Sequence, residues 1–433
     1  MANAPREKNS GIFRSLKVRN YRLYFSGQAI SLCGTWMQTI GQDWLVLKLT
    51  GSGTQLGIVS AFQFLPILLL GPFGGMIADR FDKRKILYFT QSIAGILALT
   101  LGTLVVTGHI HIWMIYIIAL CLGLVTTINS PTTQTFVSEM VGNEYLTNAI
   151  TLNSVEVNLA RAIGPALAGI IIAIFGLGPC FLFNGVSYIA VLIVLTMMRK
   201  GELKPSKRVA RAKGQLREGF RYVKNSPILL YTLIMMAIIG TLTYEFSVSL
   251  PLLAQFTFHG GAGTYSALVT ATGLGSVVGG LFAASRQKAT PKMLVLFAFL
   301  FGVAFSITAF MPNIIFAVIS LLLVGVFSIN LFSLGNTILQ LGSDPQMRGR
   351  VMSLWTIAFL GSTPIGGPII GFVGDHLGPR YGVLIGGLAA IMAAGVGALT
   401  LLKIKKTLPD LATDPLARLQ AEELNIQEDP KIR

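Results

Sequence analysis

The chain has 433 residues, 53% of them hydrophobic and only 12% charged, with a mean hydropathy of +0.68. A soluble domain carries roughly twice that charged share, so a water-soluble globular fold is excluded. The net charge of +16 does not point to nucleic acid, because the cations lie between apolar blocks and at the chain ends, where membrane topology places them.

A bilayer core of about 30 Å takes about 20 apolar helical residues to cross, and that length recurs along the chain. The pattern predicts an all-α membrane protein with twelve transmembrane helices, at 23–47, 55–78, 86–106, 112–136, 149–175, 178–198, 228–250, 266–284, 293–310, 314–339, 351–373 and 383–402. They divide into a leader (1–22), a first six-helix bundle (23–198), a polar central loop (199–226), a second six-helix bundle (227–402) and a charged tail (403–433). A surface helix is expected within the central loop near 216–224. The first apolar stretch follows a basic leader and is too long for a signal-peptide core, so it is expected to stay as an anchor. Cys33, Cys121 and Cys180 fall in or beside apolar segments, so no disulfide framework or paired-cysteine metal motif is expected.

The cations fix an expected orientation. With the N-terminus inside, 31 of the 34 Lys and Arg residues fall on the cytoplasmic side, Lys48 and Arg380 fall outside, and Arg161 lies within a helix. Loops rich in Lys and Arg stay in the cytoplasm, and a miscounted span would invert every later loop and erase the split. Both termini are therefore expected inside, in a multi-pass protein of the inner membrane.

The two halves echo each other at a shift of a little over 200 residues. Gly164, Pro165 and Gly169 in the fifth span parallel Gly367, Pro368 and Gly371 in the eleventh, with the basic loop between the halves. Six plus six spans about a central linker is how a rocking transporter is built, with its substrate site between the halves near mid-membrane.

After the second span stands Gly75-Met76-Ile77-Ala78-Asp79-Arg80-Phe81-Asp82-Lys83-Arg84. It resembles the signature loop of the major facilitator superfamily, Gly-x-x-x-Asp-Arg-x-Gly-Arg-Arg, with Asp82 in place of a glycine. The stretches 41–45, 50–52, 129–136 and 158–169 are similar to the branch of enterobactin-type siderophore exporters and macrolide efflux pumps, although Thr133 stands where that branch has Arg. The resemblance implies a monomeric exporter of small molecules driven by the proton gradient. It also implies that Gly75, Asp79, Arg80 and Arg84 latch the halves in the outward-open state.

Charges inside a membrane are costly and mark functional candidates. Asp43, Glu156 and Glu245 are the candidate proton-coupling residues. Asp43 and Glu245 sit 202 positions apart, near the repeat shift, and are read as pseudo-symmetric acids of one cavity. For Asp43 the alternative is a place at the water interface beside Trp44. Arg161 lies near mid-membrane and aligns with Asn158 and Ser154 in one polar helical stripe. Arg161, Asn158, Gln38, Gln63, Asn129 and Asn330 are the candidate cavity residues. The alternative for the amides is that they bridge helices to each other.

The histidines map to outer loops or their edges, His109 and His111 without paired acids make a poor metal site, and no metalloprotease, hydrolase or phosphate-loop motif is present. Neither a metal nor a cofactor is expected. The reading is a secondary transporter working by alternating access, most simply a proton-coupled exporter. A nutrient importer of the same fold is the runner-up, and a membrane enzyme is disfavoured.

Overall fold

The computed structural model describes residues 13–204, 215–286 and 289–407. Most of the expected leader, the middle of the central loop and most of the tail lie outside the described residues. Every regular element among those described is helical. The first bundle comprises α1 (Arg19–Thr50), α2 (Gly53–Arg80), α3 (Lys83–Val106), α4 (Ile112–Gly142), α5 (Glu144–Phe175) and α6 (Leu177–Met197). The second comprises α7 (Pro227–Thr257), α8 (Ala262–Ser285), α9 (Pro291–Ala309), α10 (Ile314–Leu341), α11 (Arg348–His376) and α12 (Pro379–Thr407).

The helix ends follow local chemistry. Gly51 stops α1 in the left-handed conformation (φ 63°), and the Ser52 hydroxyl accepts from the Gln55 amide to start α2. Asp82, the departure from the signature loop, accepts from the Lys85 amide and so caps α3. Such a side-chain acceptor satisfies one orphan N–H of the first turn. At Gly142, φ is 68° and ψ −179°, which breaks one helical path into α4 and α5.

Eleven of these helices are long and apolar enough to cross a membrane. The twelfth, α1, has 32 residues, but Arg19, Arg22, Gln28, Gln38, Gln42, Asp43 and Lys48 dilute its hydropathy. It is no less buried for that: Gln28, Gln38, Gln42 and Asp43 all face the protein interior.

The expectation of continuous seventh and eleventh spans is corrected. α7 breaks at Thr243–Glu245, between Pro227–Leu242 and Phe246–Leu252, and runs on as a π-helical turn to Thr257. α11 breaks at Leu360–Ser362, ahead of Pro364 in the first turn of its second half. The two breaks interlock. Gly240 lies against the Phe359 backbone and Gly366 against the Thr241 carbonyl, so closely that a Cβ on either glycine would overlap those atoms. Thr243 compensates for the lost helix geometry by donating to the Gly386 carbonyl of α12 at 2.7 Å.

The surface helix forms at Gln215–Asn225 and docks on the second bundle. Glu218 pairs with Arg350 at 2.7 Å, and the Asp344 amide donates to the Tyr222 hydroxyl at 3.1 Å.

The bundles meet along two seams, α2 with α11 and α5 with α8. Both seams are made of small residues at the end of the molecule opposite the basic loops. Gly57 abuts Gly367, and Gly53 abuts Gly371, at backbone-to-backbone distance. On the second seam Gly169 faces Ser266, and Gly273 faces the backbone of Arg161 and Ala162. Close approach of this kind needs residues without side chains, and the paired Gly-Pro motifs supply them.

Candidate functional site

Asp43 lies on the closed part of the contact. It is 5% exposed, buried between the bundles. Its carboxylate accepts a 2.7 Å hydrogen bond from the Tyr265 hydroxyl of α8, in the other bundle. Trp44 stacks on the Tyr265 ring, with centroids 6.4 Å apart at 21°. Ser247 of α7 is also beside the carboxylate.

Glu245 caps the second half of α7 at the break. It is 3% exposed, and its Oε1 atom has no hydrogen-bond partner. The carboxylate lies against Gly366 and Gly367, where a Cβ would come within 3.0 and 3.4 Å of its oxygens, with Thr363 next to it. Gly367 in turn touches Gly57 of α2. The two acids 202 positions apart thus both stand next to a seam, one directly bonded across it and one a single glycine from it.

Glu156 is placed differently. It is 5% exposed and faces α1, with Tyr21, Tyr24 and Cys33 in its electrostatic reach. Its Oε1 atom is also without a hydrogen-bond partner. It sits inside the first bundle, one turn and a half below Arg161 on the same helix.

Arg161 spreads its guanidinium over the Trp36 ring at 5.0 Å, and its Nε atom has no hydrogen-bond partner. Gly164 makes this possible: a Cβ there would stand 2.5 Å from the Trp36 Cβ, so only glycine lets α1 lie close enough. Tyr244, at the α7 break, is near enough to Arg161 for an electrostatic interaction. Tyr244 belongs to an aromatic wall of the second bundle, with Phe359 at 4.7 Å, and Phe359 stacked on Trp355 at 5.7 Å. Phe332 joins both at 5.2 and 5.3 Å. The polar stripe of α5 does run to the surface: Thr151 and Ser154 are exposed, while Asn158 and Arg161 deeper in are half-buried. Thr151 and Ser154 lie nearer the basic end of α5, and Asn158 and Arg161 farther along it.

Several expected cavity residues are spoken for within their own bundles. Gln38 accepts from Asn184 at 2.6 Å between α1 and α6. Asn330 is fully buried, donates to the Gly279 and Val326 carbonyls, and accepts from Arg286. Both amides are thus engaged inside their own bundles in this state. Asn129 accepts from Thr90 at 2.9 Å, and Gln63 accepts from Gln42 at 3.2 Å. Arg84 is likewise engaged within its own bundle in the described state. It donates to the Leu195 and Thr196 carbonyls at 2.7 and 3.2 Å, tying α3 to the end of α6 in the same bundle.

Tyr265, Trp36 and Asp375 escaped the sequence reading. Asp375, at the end of α11, accepts from the Gly53 amide at 2.5 Å, the Thr54 amide at 2.9 Å, and the Ser52 and Thr54 hydroxyls at 2.7 Å each. It is a second bond across the seam, on the exposed surface of the end opposite the basic loops.

A family model described as a transmembrane secretion effector matches residues 10–431. The staphyloferrin A transporter of Staphylococcus aureus (strain NCTC 8325 / PS 47) is 28% identical over 363 residues, covering 82% of this chain and 90% of that protein. Macrolide efflux protein A of Streptococcus pyogenes is 22% identical over 391 residues, covering 87% and 96%. The enterobactin exporter EntS of Shigella flexneri is 24% identical over 394 residues, covering 89% and 92%. Among solved structures, a bacterial homolog of the human lysosomal transporter Spinster, inward-facing and unoccupied, superposes with a TM-score of 0.70 at 14% identity, covering 90% of this chain and 98% of that one.

Proposed function

Because the chain belongs to the transmembrane secretion effector family of the major facilitator superfamily, we propose that it is a proton-coupled exporter of small amphiphilic anions, with the basic end in the cytoplasm. It is a secondary transporter of the alternating-access type, and the described state is closed at the end that this orientation places outside. The polar stripe of Thr151, Ser154, Asn158 and Arg161 then receives substrate from the cell interior.

The observation that carries the reading is the bond between Asp43 and Tyr265. A charge-assisted hydrogen bond is roughly twice as strong as a neutral one. Protonating Asp43 therefore weakens a contact that exists only while the outer seam is closed. Proton binding from outside and bundle separation are linked in that way, and linkage is reciprocal. Glu245, one glycine from the other seam, is the second proton carrier, and Glu156 provides a buried acid on the cytoplasmic approach. Arg161 supplies the positive charge for an anionic substrate group, opposite the aromatic wall of Tyr244, Phe359, Trp355 and Phe332. The relatives named for enterobactin export and macrolide efflux support the direction of transport.

Everted membrane vesicles test this. With an acid interior, vesicles holding the protein should accumulate a radiolabelled siderophore or macrolide, and collapse of the pH gradient should stop it. Uptake that proceeds only from right-side-out vesicles identifies an importer and overturns the reading.

A further inference from the structure

Asp375 does for the outer end what the signature loop is read to do for the basic end. The last residues of α11 are Gly371-Phe372-Val373-Gly374-Asp375, and those of α2 are Gly75-Met76-Ile77-Ala78-Asp79. Each is a Gly-x-x-x-Asp run at the C-terminal end of its helix. The two helices are partners along one seam and run antiparallel, since Gly53 meets Gly371 and Gly57 meets Gly367, so Asp375 stands at the N-terminal end of α2. Backbone N–H groups at a helix start are unpaired, and the helix dipole favours negative charge there. At the closed end the fit is realised: one carboxylate takes the first two amides of α2 and two hydroxyls of its first turn. Gly371 lies against the Gly53 backbone, which sets the two helix ends close enough for the bond.

We infer that Asp375 is a positioning residue of the transport cycle. It clasps the α2 N-terminus while the outer end is closed and releases it when the molecule rocks the other way, opposite in sense to the latch that the resemblance assigns to Asp79. The inference rests on the alternating-access reading but not on the substrate or the direction of transport.

The test uses the full chain in nanodiscs, with Cys33, Cys121 and Cys180 replaced and spin labels at His109→Cys and Pro312→Cys. These are exposed positions of the α3–α4 and α9–α10 loops, one on each bundle at the outer end. Pulsed dipolar distances are read without substrate. Asp375→Asn should raise the ratio of long to short distances about fivefold, from the strength of a carboxylate at a helix start. Asp79→Asn should lower it, and Asp375→Glu should restore most of the wild-type distribution. If Asp375→Asn does not fold, Ser52→Ala with Thr54→Val removes both hydroxyl donors and should shift the ratio in the same direction. An unchanged ratio in the Asp375 or donor variants, or shifts of the same sign for Asp375→Asn and Asp79→Asn, overturns the inference. A reciprocal shift alongside failed vesicle export would leave the inference standing and fault only the exporter reading.

Discussion

The Tyr265 hydroxyl reaches 2.7 Å across the seam between the bundles to bond the Asp43 carboxylate. Donor and acceptor are 222 residues apart in sequence and belong to different halves, so the bond reports directly on whether the outer end is closed. Asp43→Asn keeps the shape and removes the proton site. Its expected phenotype is loss of gradient-driven accumulation with substrate exchange at equal pH retained within about threefold, as coupling and not binding is removed. Tyr265→Phe leaves a buried carboxylate without its donor, which costs about 1–3 kcal/mol of closed-state stability. It should slow accumulation less than Asp43→Asn does. Equal loss of both activities in Asp43→Asn would show that the residue only holds the fold.

Glu245 invites the opposite stability outcome. A buried carboxylate oxygen without a partner is a cost to the fold, which a neutral isostere of the same shape lowers. Glu245→Gln is therefore expected to keep or raise the thermal midpoint of the purified protein while abolishing proton-driven transport. A fall in the midpoint of several degrees would mean that the carboxylate is held by interactions that the amide cannot replace, and its place as a proton carrier would be lost.

Arg161, proposed to hold the anionic group, lays a planar cation on the Trp36 face. Lysine keeps the charge but loses the stacked plane and the forked donors. We expect Arg161→Lys to raise the KM for anionic substrates about tenfold, and Arg161→Ala about a hundredfold, the scale of one charge-assisted contact of 1.5–3 kcal/mol. KM for an uncharged macrolide should move by less than about threefold in both variants. Parallel losses for charged and uncharged substrates would relegate Arg161 to packing.

The Gly-Pro repeats, the span count and the polar stripe of α5 were legible because each is a one-dimensional pattern: periodic spacing, block length, charge between blocks. Gly367 and Gly371 stood out as the repeat of Gly164 and Gly169, and Gly57 and Gly53 are the surfaces they meet. What stayed hidden was pairing. Gln38 and Asn330 look the same in sequence as Asn158, and only the positions of Asn184, Gly279 and Val326 decide that their amides are already bonded. Tyr265 reads as one aromatic at a helix start, and its role exists only because Asp43 stands opposite. The breaks in α7 and α11 were hidden for a similar reason: Thr243 leaves the helix because the Gly386 carbonyl is there to accept its hydroxyl. Asp375 did carry a signal, a second Gly-x-x-x-Asp run, but its meaning needs the antiparallel contact of α2 with α11.

Gly57 tests the seam by sterics. A Cβ there would overlap the Gly367 carbonyl and the peptide nitrogen of Pro368, all backbone atoms that no rotamer change can move. Gly57→Val should prevent outer closure, leaving the His109–Pro312 label pair in its long-distance population and transport reduced by more than about tenfold, the effect of over-packing by 1–3 kcal/mol. Gly108, with open space around it, lies on a loop at the same end, but its φ of 74° makes it a poor control. Gly263, also unobstructed and without that backbone demand, is the proper comparison, and Gly263→Ala should transport normally.

Lys83 and Glu139 allow a check on the fold that is independent of transport. Their side chains meet at 2.6 Å with about a tenth of their surfaces exposed, tying the start of α3 to the end of α4. Nearby, the Lys204 amide donates to the Glu139 carbonyl, so the same place anchors the first part of the central loop. Removing one partner of a buried pair strands the other charge, a loss of about 3–5 kcal/mol, whereas replacing both with apolar residues of similar volume is often neutral. Glu139→Leu alone should lower the thermal midpoint sharply, and adding Lys83→Met should recover most of the loss. Replacing Lys83, one of the 34 Lys and Arg residues, leaves the charge asymmetry between the loops almost unchanged, so insertion should be normal in either variant. A double variant no more stable than the single one would place the energetic weight on the individual contacts of Lys83 and Glu139 with their other neighbours, not on the attraction between the two charges.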